Sequence, residues 1–316
     1  MERAIGRTRG VWVRRAGGAV VLCLLVWQYG TEPFVRGLSS IHAAALVTAL
    51  AVGALTTVCC AWRWRLVAGA LGLDVPLGGA VAAYYRSQML NVMLPGGVLG
   101  DLHRAVDRGR RTGHLGVALR SVAWERGLGQ LVQMALTAVV LVAVPSAIRP
   151  SLPVVAVSVL AAAVILGLAG LAASVRVAAP VRHDLRAILR ARRTAVGVVV
   201  ASVVAVIGHA TVFLVASRTA GAHVPAAGVL PLALVVLLVA AVPVNLAGWG
   251  PREGAAAWVF GVAGLGASHG VTASVVYGVM VLAAALPGAL VLVVLAGRRA
   301  SQESTTARPV ADVNHG

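Results

Sequence analysis

The sequence predicts an all-α, polytopic integral membrane protein with about six spanning helices plus two re-entrant helical hairpins, an order compatible with an inverted repeat. Three observations carry this. The chain is 59% hydrophobic and only 12% charged, with a mean hydropathy of +0.89, whereas soluble domains carry about 25% charged residues. Uncharged runs at 37–62, 151–175, 194–217, 224–251 and 254–297 each reach the ~20 residues a helix needs to cross a bilayer. Glycine and proline interrupt two of the apolar stretches. A closed β-barrel would show short alternating segments instead.

The chain divides into a basic arm at 1–15, a transmembrane region at 16–298 and a disordered tail at 299–316. The first apolar run, 16–31, follows Arg14 and Arg15, as the apolar core of a signal peptide would. "WQYGTEP" offers no small-residue cleavage site, and Trp27 and Tyr29 suit an interfacial belt. The run is read as the first spanning helix, with a removable signal as the alternative. A second helix follows at about 41–61.

Arginine placement sets the orientation. There is no lysine among the 27 basic residues. The arginines cluster in the N-terminal arm, after the second helix (Arg63, Arg65), between 101 and 126, between 176 and 193, and in the tail. The positive-inside rule then puts both termini in the cytoplasm of a multi-pass plasma (inner) membrane protein. The stretch at about 77–100 starts and ends on the cytoplasmic side, so it enters the membrane and returns. Helices at about 127–145, 151–174 and 195–217 cross next. A second re-entrant hairpin occupies about 228–268, entering from the outside, and a final span covers 271–297.

The net charge of +17 does not indicate nucleic acid, because the arginines are confined to short segments between apolar runs. Cys23, Cys59 and Cys60 lie in apolar segments and read as small buried hydrophobes. No cofactor or metal motif is present.

The two breaks carry the candidate chemistry. "NVMLPGGVLGD" contributes Asn91, Pro95, Gly96, Gly97, Gly100 and Asp101. "NLAGWGPREG" contributes Asn245, Gly248, Gly250, Pro251, Arg252 and Glu253. Freed backbone at membrane depth must be buried in protein or line a wet cavity, and paired broken segments in two halves of a chain point to a site between them. Asp101 is read either as a helix N-cap or as part of that site. Arg252 and Glu253 stand between long uncharged runs, where a charge costs about 2.5–3.5 kcal/mol. The two are read either as a pair that partly neutralises itself or, because neighbours on a helix do not face each other, as charges that each seek another partner or a ligand. Arg120, Glu125 and Arg126 either snorkel at the cytoplasmic interface or line the mouth of the first hairpin, with Gln130 and Gln133 continuing a polar stripe. Arg86, inside the first hairpin, suits an anionic group. "RHDLRAILRARR" is read as an amphipathic interfacial helix, with a purely topogenic loop as the alternative.

Together, "YYRSQMLNVMLPGGVLGDLHRA", "SVAWERGLG" and "PVNLAGWGPREGAAAWVF" resemble the lysylphosphatidylglycerol synthase transmembrane-region family, the flippase-like domain of multiple peptide resistance factor proteins. The resemblance covers about residues 10 to 298. It implies an inner-membrane protein with re-entrant helices around a lipid-accessible cavity, associated in two-domain members with moving aminoacylated phosphatidylglycerol between leaflets. Those members carry a soluble aminoacyltransferase domain. This chain is expected to lack one, so no aminoacyl-tRNA chemistry is carried over.

The expected function is a flippase-like transporter that moves a polar-headed lipid, aminoacylated or glycosylated, between membrane leaflets, either a phosphatidylglycerol derivative or a polyprenyl-linked glycan. Arg86, Arg126 and Arg252 would bind phosphate, while Asp101, Glu125 and Glu253 would hold an amine or couple to protons. The alternatives are a membrane-embedded lipid-modifying or polyprenyl-phosphate-dependent transferase, or a non-transporting scaffold for such an enzyme. Oligomeric state is not indicated.

Overall fold

In the computed structural model, residues 23–24, 26–94, 97–144, 178–222, 224–241 and 249–295 are described, those at 178–181 without their side chains. The described residues form an all-α, membrane-embedded bundle. After helical residues at 26–29 come α1 (Glu32–Ser39), α2 (Ala43–Ala70), α3 (Leu77–Met93), α4 (Leu99–Thr112) and α5 (Leu115–Ala143). Then follow α6 (Ala178–Arg190), α7 (Arg192–Thr219), α8 (Ala226–Ala240), α9 (Pro251–Val262) and α10 (Ala267–Ala285), whose helix continues past Leu286 to Leu295.

Among the described residues, four helices are long and apolar enough to cross a bilayer: α2, α5, α7 and the extended α10. The other two expected spans, at 16–31 and 151–174, fall partly or wholly outside the described residues, as do the basic arm and the tail. Two described helices overrun their expected ends. α2 continues to Ala70 rather than stopping near 61, and α5 begins at Leu115 rather than near 127. The cause is the same in both. Arg63 and Glu125 look like interface markers in isolation, but they are partners inside the bundle, so neither ends its helix.

Three helices end by one local device. At Gly72, Gly221 and Gly264 the backbone turns left-handed, and the next residue's N–H reaches back to a carbonyl in the last turn: Leu73 to Ala68, Ala222 to Ser217, Leu265 to Phe260, each 2.9–3.0 Å. These are Schellman closures, which satisfy carbonyls the helix would otherwise leave orphaned. They turn the chain sharply from α2 toward α3, from α7 toward α8 and from α9 toward α10.

Small residues let the helices approach closely, as is usual where lipid supplies no hydrophobic drive between them. A side chain at Gly208 of α7 would strike Thr56 of α2, and one at Gly53 of α2 would strike Ala284 on the extended α10. Residues 232–238 of α8 are buried without a break, which marks a helix enclosed on all sides. It packs against α5, α7 and α9. Leu131, Val139, Val142, Val199, Ile207, Leu290 and Val293 face outward, where acyl chains would meet them.

The basic segment is the amphipathic helix α6, docked on α7 and α2. It buries Ile188 and Asp184 and exposes Arg182, Arg186, Arg190, Leu185 and Leu189. Asp184 is its anchor, accepting hydrogen bonds from Arg120 Nε at 2.7 Å and Trp124 Nε1 at 3.3 Å on α5. Asp184→Ala strands both donors, a loss of about 1–3 kcal/mol. The expected result is faster amide exchange across residues 182–190 with little change in α2 or α10. Unaltered exchange in α6 would show that Asp184 does not hold it.

Candidate functional site

Four helices build the first polar cluster. On α3, Tyr84, Ser87, Gln88 and Asn91 share one face at three- and four-residue spacing. α4 opens with Asp101 and then Arg104, α5 supplies Glu125 and Arg126, and α2 supplies Arg63. Glu125 is fully buried. Its Oε1 accepts from Arg63 Nε at 2.9 Å and Nη2 at 2.5 Å, and from Tyr84 Oη at 3.1 Å. Its Oε2 accepts from Arg104 Nη2 at 3.0 Å. Arg63 Nη1 donates to Ser202 of α7 at 3.0 Å.

Asp101 joins this network to the break. It accepts from Ser87 Oγ at 2.9 Å, Asn91 Nδ2 at 3.1 Å and Arg104 Nη2 at 2.9 Å, and pairs with Arg126 at 2.5 Å. Asp101 does not cap its own helix. Asn91 does so from α3, its Oδ1 accepting the Gly100 N–H at 2.8 Å. The Arg104 guanidinium lies 4.6 Å from the Trp64 ring centre and 4.4 Å from that of Tyr84. Aromatic faces attract a desolvated cation, which compensates Nε and Nη1 atoms that have no hydrogen-bond partner among the described residues. The cluster holds three guanidinium groups and two carboxylates, leaving one positive charge.

The second cluster sits at the start of α9. Gly250 adopts φ +117° and Pro251 opens the helix, a backbone state that glycine tolerates and other residues resist. Glu253, fully buried, folds back so that its Oε2 accepts the Gly250 N–H at 2.7 Å. Its Oε1 accepts from Arg252 Nε at 2.9 Å and Nη2 at 2.6 Å, and from Ser274 Oγ of α10 at 3.0 Å. Of the two readings of Arg252 and Glu253, the geometry has the mutual pair rather than two charges that each seek a separate partner. The capping bond pulls the carboxylate back over the helix start, where the long arginine stem of the preceding residue wraps round to meet it. Arg252 also lies 5.3 Å from the ring centres of Trp249 and Tyr277.

Between the clusters lies a cavity of about 340 Å³. Arg63, Arg126 and Arg252 reach its wall, with Asn91, Gln88, Gln130, Gln133, Thr57 and Ser202 as neutral polar lining. His209 and Tyr277, hydrogen-bonded at 3.0 Å, line it between α7 and α10. Both broken segments contribute, Gly97 and Asn91 from one and Arg252 from the other. Arg126 is the accessible cation, with 47% of its side chain exposed.

Apart from Arg86, the described sequence-derived residues divide into three groups. Asn91, Gly97, Arg126 and Arg252 line the cavity, and the stripe expected from Arg126 through Gln130 to Gln133 does so together with Gly129. Asp101, Glu125 and Glu253 stand behind the arginines; Glu125 does not snorkel but is fully buried. Gly100, Gly250 and Pro251 shape the helix starts. Arg86 lies apart, bound to Asp107 at 2.8 Å. Burial alone would raise the Asp107 carboxyl, but the Arg86 bond and charge, with Arg111 beside it, hold it below the usual carboxylate range. Asn245, Pro95, Gly96 and Gly248 lie outside the described residues.

Sequence reasoning passed over Arg63, Arg104, Tyr84, Ser202, His209 and Tyr277. Arg63 and Arg104 were taken only as topogenic charges. The remaining four are single polar residues within apolar or mixed runs. For His209 and Tyr277 the available signal was isolation: a lone polar residue in a long apolar run has to face protein or water.

The family model described as "Lysylphosphatidylglycerol synthase TM region" matches residues 11–295. No curated protein and no solved structure matches the chain.

Proposed function

Because the chain belongs to the lysylphosphatidylglycerol synthase transmembrane-region family, we propose that it is a flippase-like transporter that passes the head group of a membrane lipid through the cavity between its two broken segments. The family associates the protein with membrane lipids. The observation that carries the reading is the cavity itself, which is lined by three guanidinium groups and ringed by neutral donors inside an apolar bundle. At about 340 Å³ it lies at the small end of ligand pockets, roughly 300–1,000 Å³. That is room for a head group and not for two acyl chains, which would stay in lipid. In this reading the segments around α3–α4 and α8–α9 are re-entrant hairpins from opposite faces, and both termini are cytoplasmic in the plasma membrane.

A membrane transferase would need a base poised at the reacting group. Among the described residues no carboxylate lines the cavity and its imidazole, His209, is engaged by Tyr277 at 3.0 Å, whereas three guanidinium groups reach the wall, so the transporter reading is favoured.

The test is a leaflet-exchange assay in proteoliposomes with an acyl-labelled anionic phospholipid. Arg126→Gln removes the accessible cation and is expected to slow exchange at least tenfold while leaving the protein folded. Wild-type exchange no faster than in empty vesicles would overturn the proposal.

A further inference from the structure

Resting on that transport reading, we infer that the cavity selects a lipid whose head group is a phosphate carrying uncharged hydroxyls, such as a glycerol or a sugar, and rejects a head group bearing an ammonium. The family description names a lysylated lipid, which is cationic; the cavity wall of this chain argues for the opposite charge.

The chain has ten acidic residues. Glu2, Glu303 and Asp312 lie in the terminal segments outside the described residues. The stretches at 95–96, 145–177 and 242–248 contain no Asp or Glu, so the remaining undescribed interior cannot add one. Of the seven described acids, Asp74 is exposed between α2 and α3, Glu32 pairs with Arg36 on α1, Asp107 with Arg86 and Asp184 with Arg120. That leaves Asp101, Glu125 and Glu253. None lines the cavity, and each is turned toward guanidinium nitrogens.

The wall therefore presents one sign. Arg63, Arg126 and Arg252 reach it, and four guanidinium groups (with Arg104 behind) face three carboxylates across the two clusters. One positive charge is uncompensated. An anion entering here completes the balance, whereas an ammonium adds a second uncompensated charge where screening is weak. The neutral lining suits hydroxyls: the side-chain amides of Gln88, Asn91, Gln130 and Gln133 both donate and accept. An ammonium has only donors and would find carbonyl oxygens but no carboxylate.

The purified full chain in detergent should be titrated with acyl-labelled phosphatidylglycerol, phosphatidylinositol, and the lysyl ester of phosphatidylglycerol. Phosphatidylglycerol and phosphatidylinositol are expected to bind at least tenfold tighter than the lysyl ester. Gln133→Glu, which plants a carboxylate in the wall, should narrow that ratio at least fivefold, and by clearly more than Gln133→Ala, which removes the amide without adding charge. A lysyl ester that binds as tightly as phosphatidylglycerol overturns the inference. The same lipids, run through leaflet exchange, separate the two claims. Charge-selective binding with no exchange of any lipid overturns transport and supports the selectivity. Exchange of the lysyl ester at the rate of phosphatidylglycerol overturns the selectivity and supports transport.

Discussion

Glu125→Ala is expected to destabilise the protein by about 3–5 kcal/mol, the usual consequence of removing one partner from a buried ion pair. Glu125 receives four hydrogen bonds, from Arg63 twice, Tyr84 and Arg104. Without it, Arg63 keeps only Ser202 and Arg104 keeps only Asp101 among the bonds described. Both guanidinium groups are buried and cannot recover hydration. The melting temperature in detergent should fall on the order of 10 °C. Pairing the loss with its partner discriminates the cause: Arg63→Met with Glu125→Leu removes both charges, and apolar replacement of a whole buried pair is often neutral. The double variant should therefore melt above Glu125→Ala. A Glu125→Ala protein that melts within a degree or two of wild type would mean that the carboxylate does not organise this cluster.

That pairing also shows what the sequence could and could not disclose. The apolar runs that become α2, α7 and α10 and the polar stripe from Arg126 to Gln133 follow from composition and periodicity, and each has its counterpart among the described residues. The sequence reading priced every charge by what it would suffer alone in lipid. Arg63 and Glu125 are 62 positions apart, and nothing local announces that they meet, so Arg63 was read as a topogenic charge and Glu125 as either an interface residue or part of the hairpin's mouth. The setting of the acids was hidden for a related reason. A carboxylate beside a break looks like a ligand for an amine until the guanidinium that covers it is known. For Asp101 that cover is Arg104 and Arg126; for Glu253 it is the adjacent Arg252, brought round by a capping bond that only a folded helix start supplies.

Gly100→Ala carries the second large effect, and its sign is the test. On intrinsic propensity alone, alanine in place of glycine near a helix start stabilises by up to about 1 kcal/mol. The structure forbids that gain. A Cβ at Gly100 would lie 2.0 Å from the Ser87 carbonyl oxygen and 2.9 Å from Asn91 Oδ1. The first contact is with backbone inside α3, which cannot rotate away, so α4 must move as a unit. Moving it lengthens the Gly100 N–H bond to Asn91 and pulls Asp101 from Ser87, Arg104 and Arg126 together. Overpacking of this kind costs about 1–3 kcal/mol, and weakening the buried pairs adds to it. The expected outcome is a destabilised protein whose lipid exchange falls further than its stability explains, because Arg126 is released at the cavity wall. Gly270 offers a matched comparison in the other half, where a Cβ would lie 2.2 Å from the Ala256 carbonyl between α9 and α10. Gly270→Ala should destabilise as well, disturbing Ser274 and the Arg252–Glu253 pair while leaving Arg126 in place. If Gly100→Ala instead raised the melting temperature, α3 and α4 would not pack as closely as the geometry requires, and the link from the first break to the cavity would fail with them.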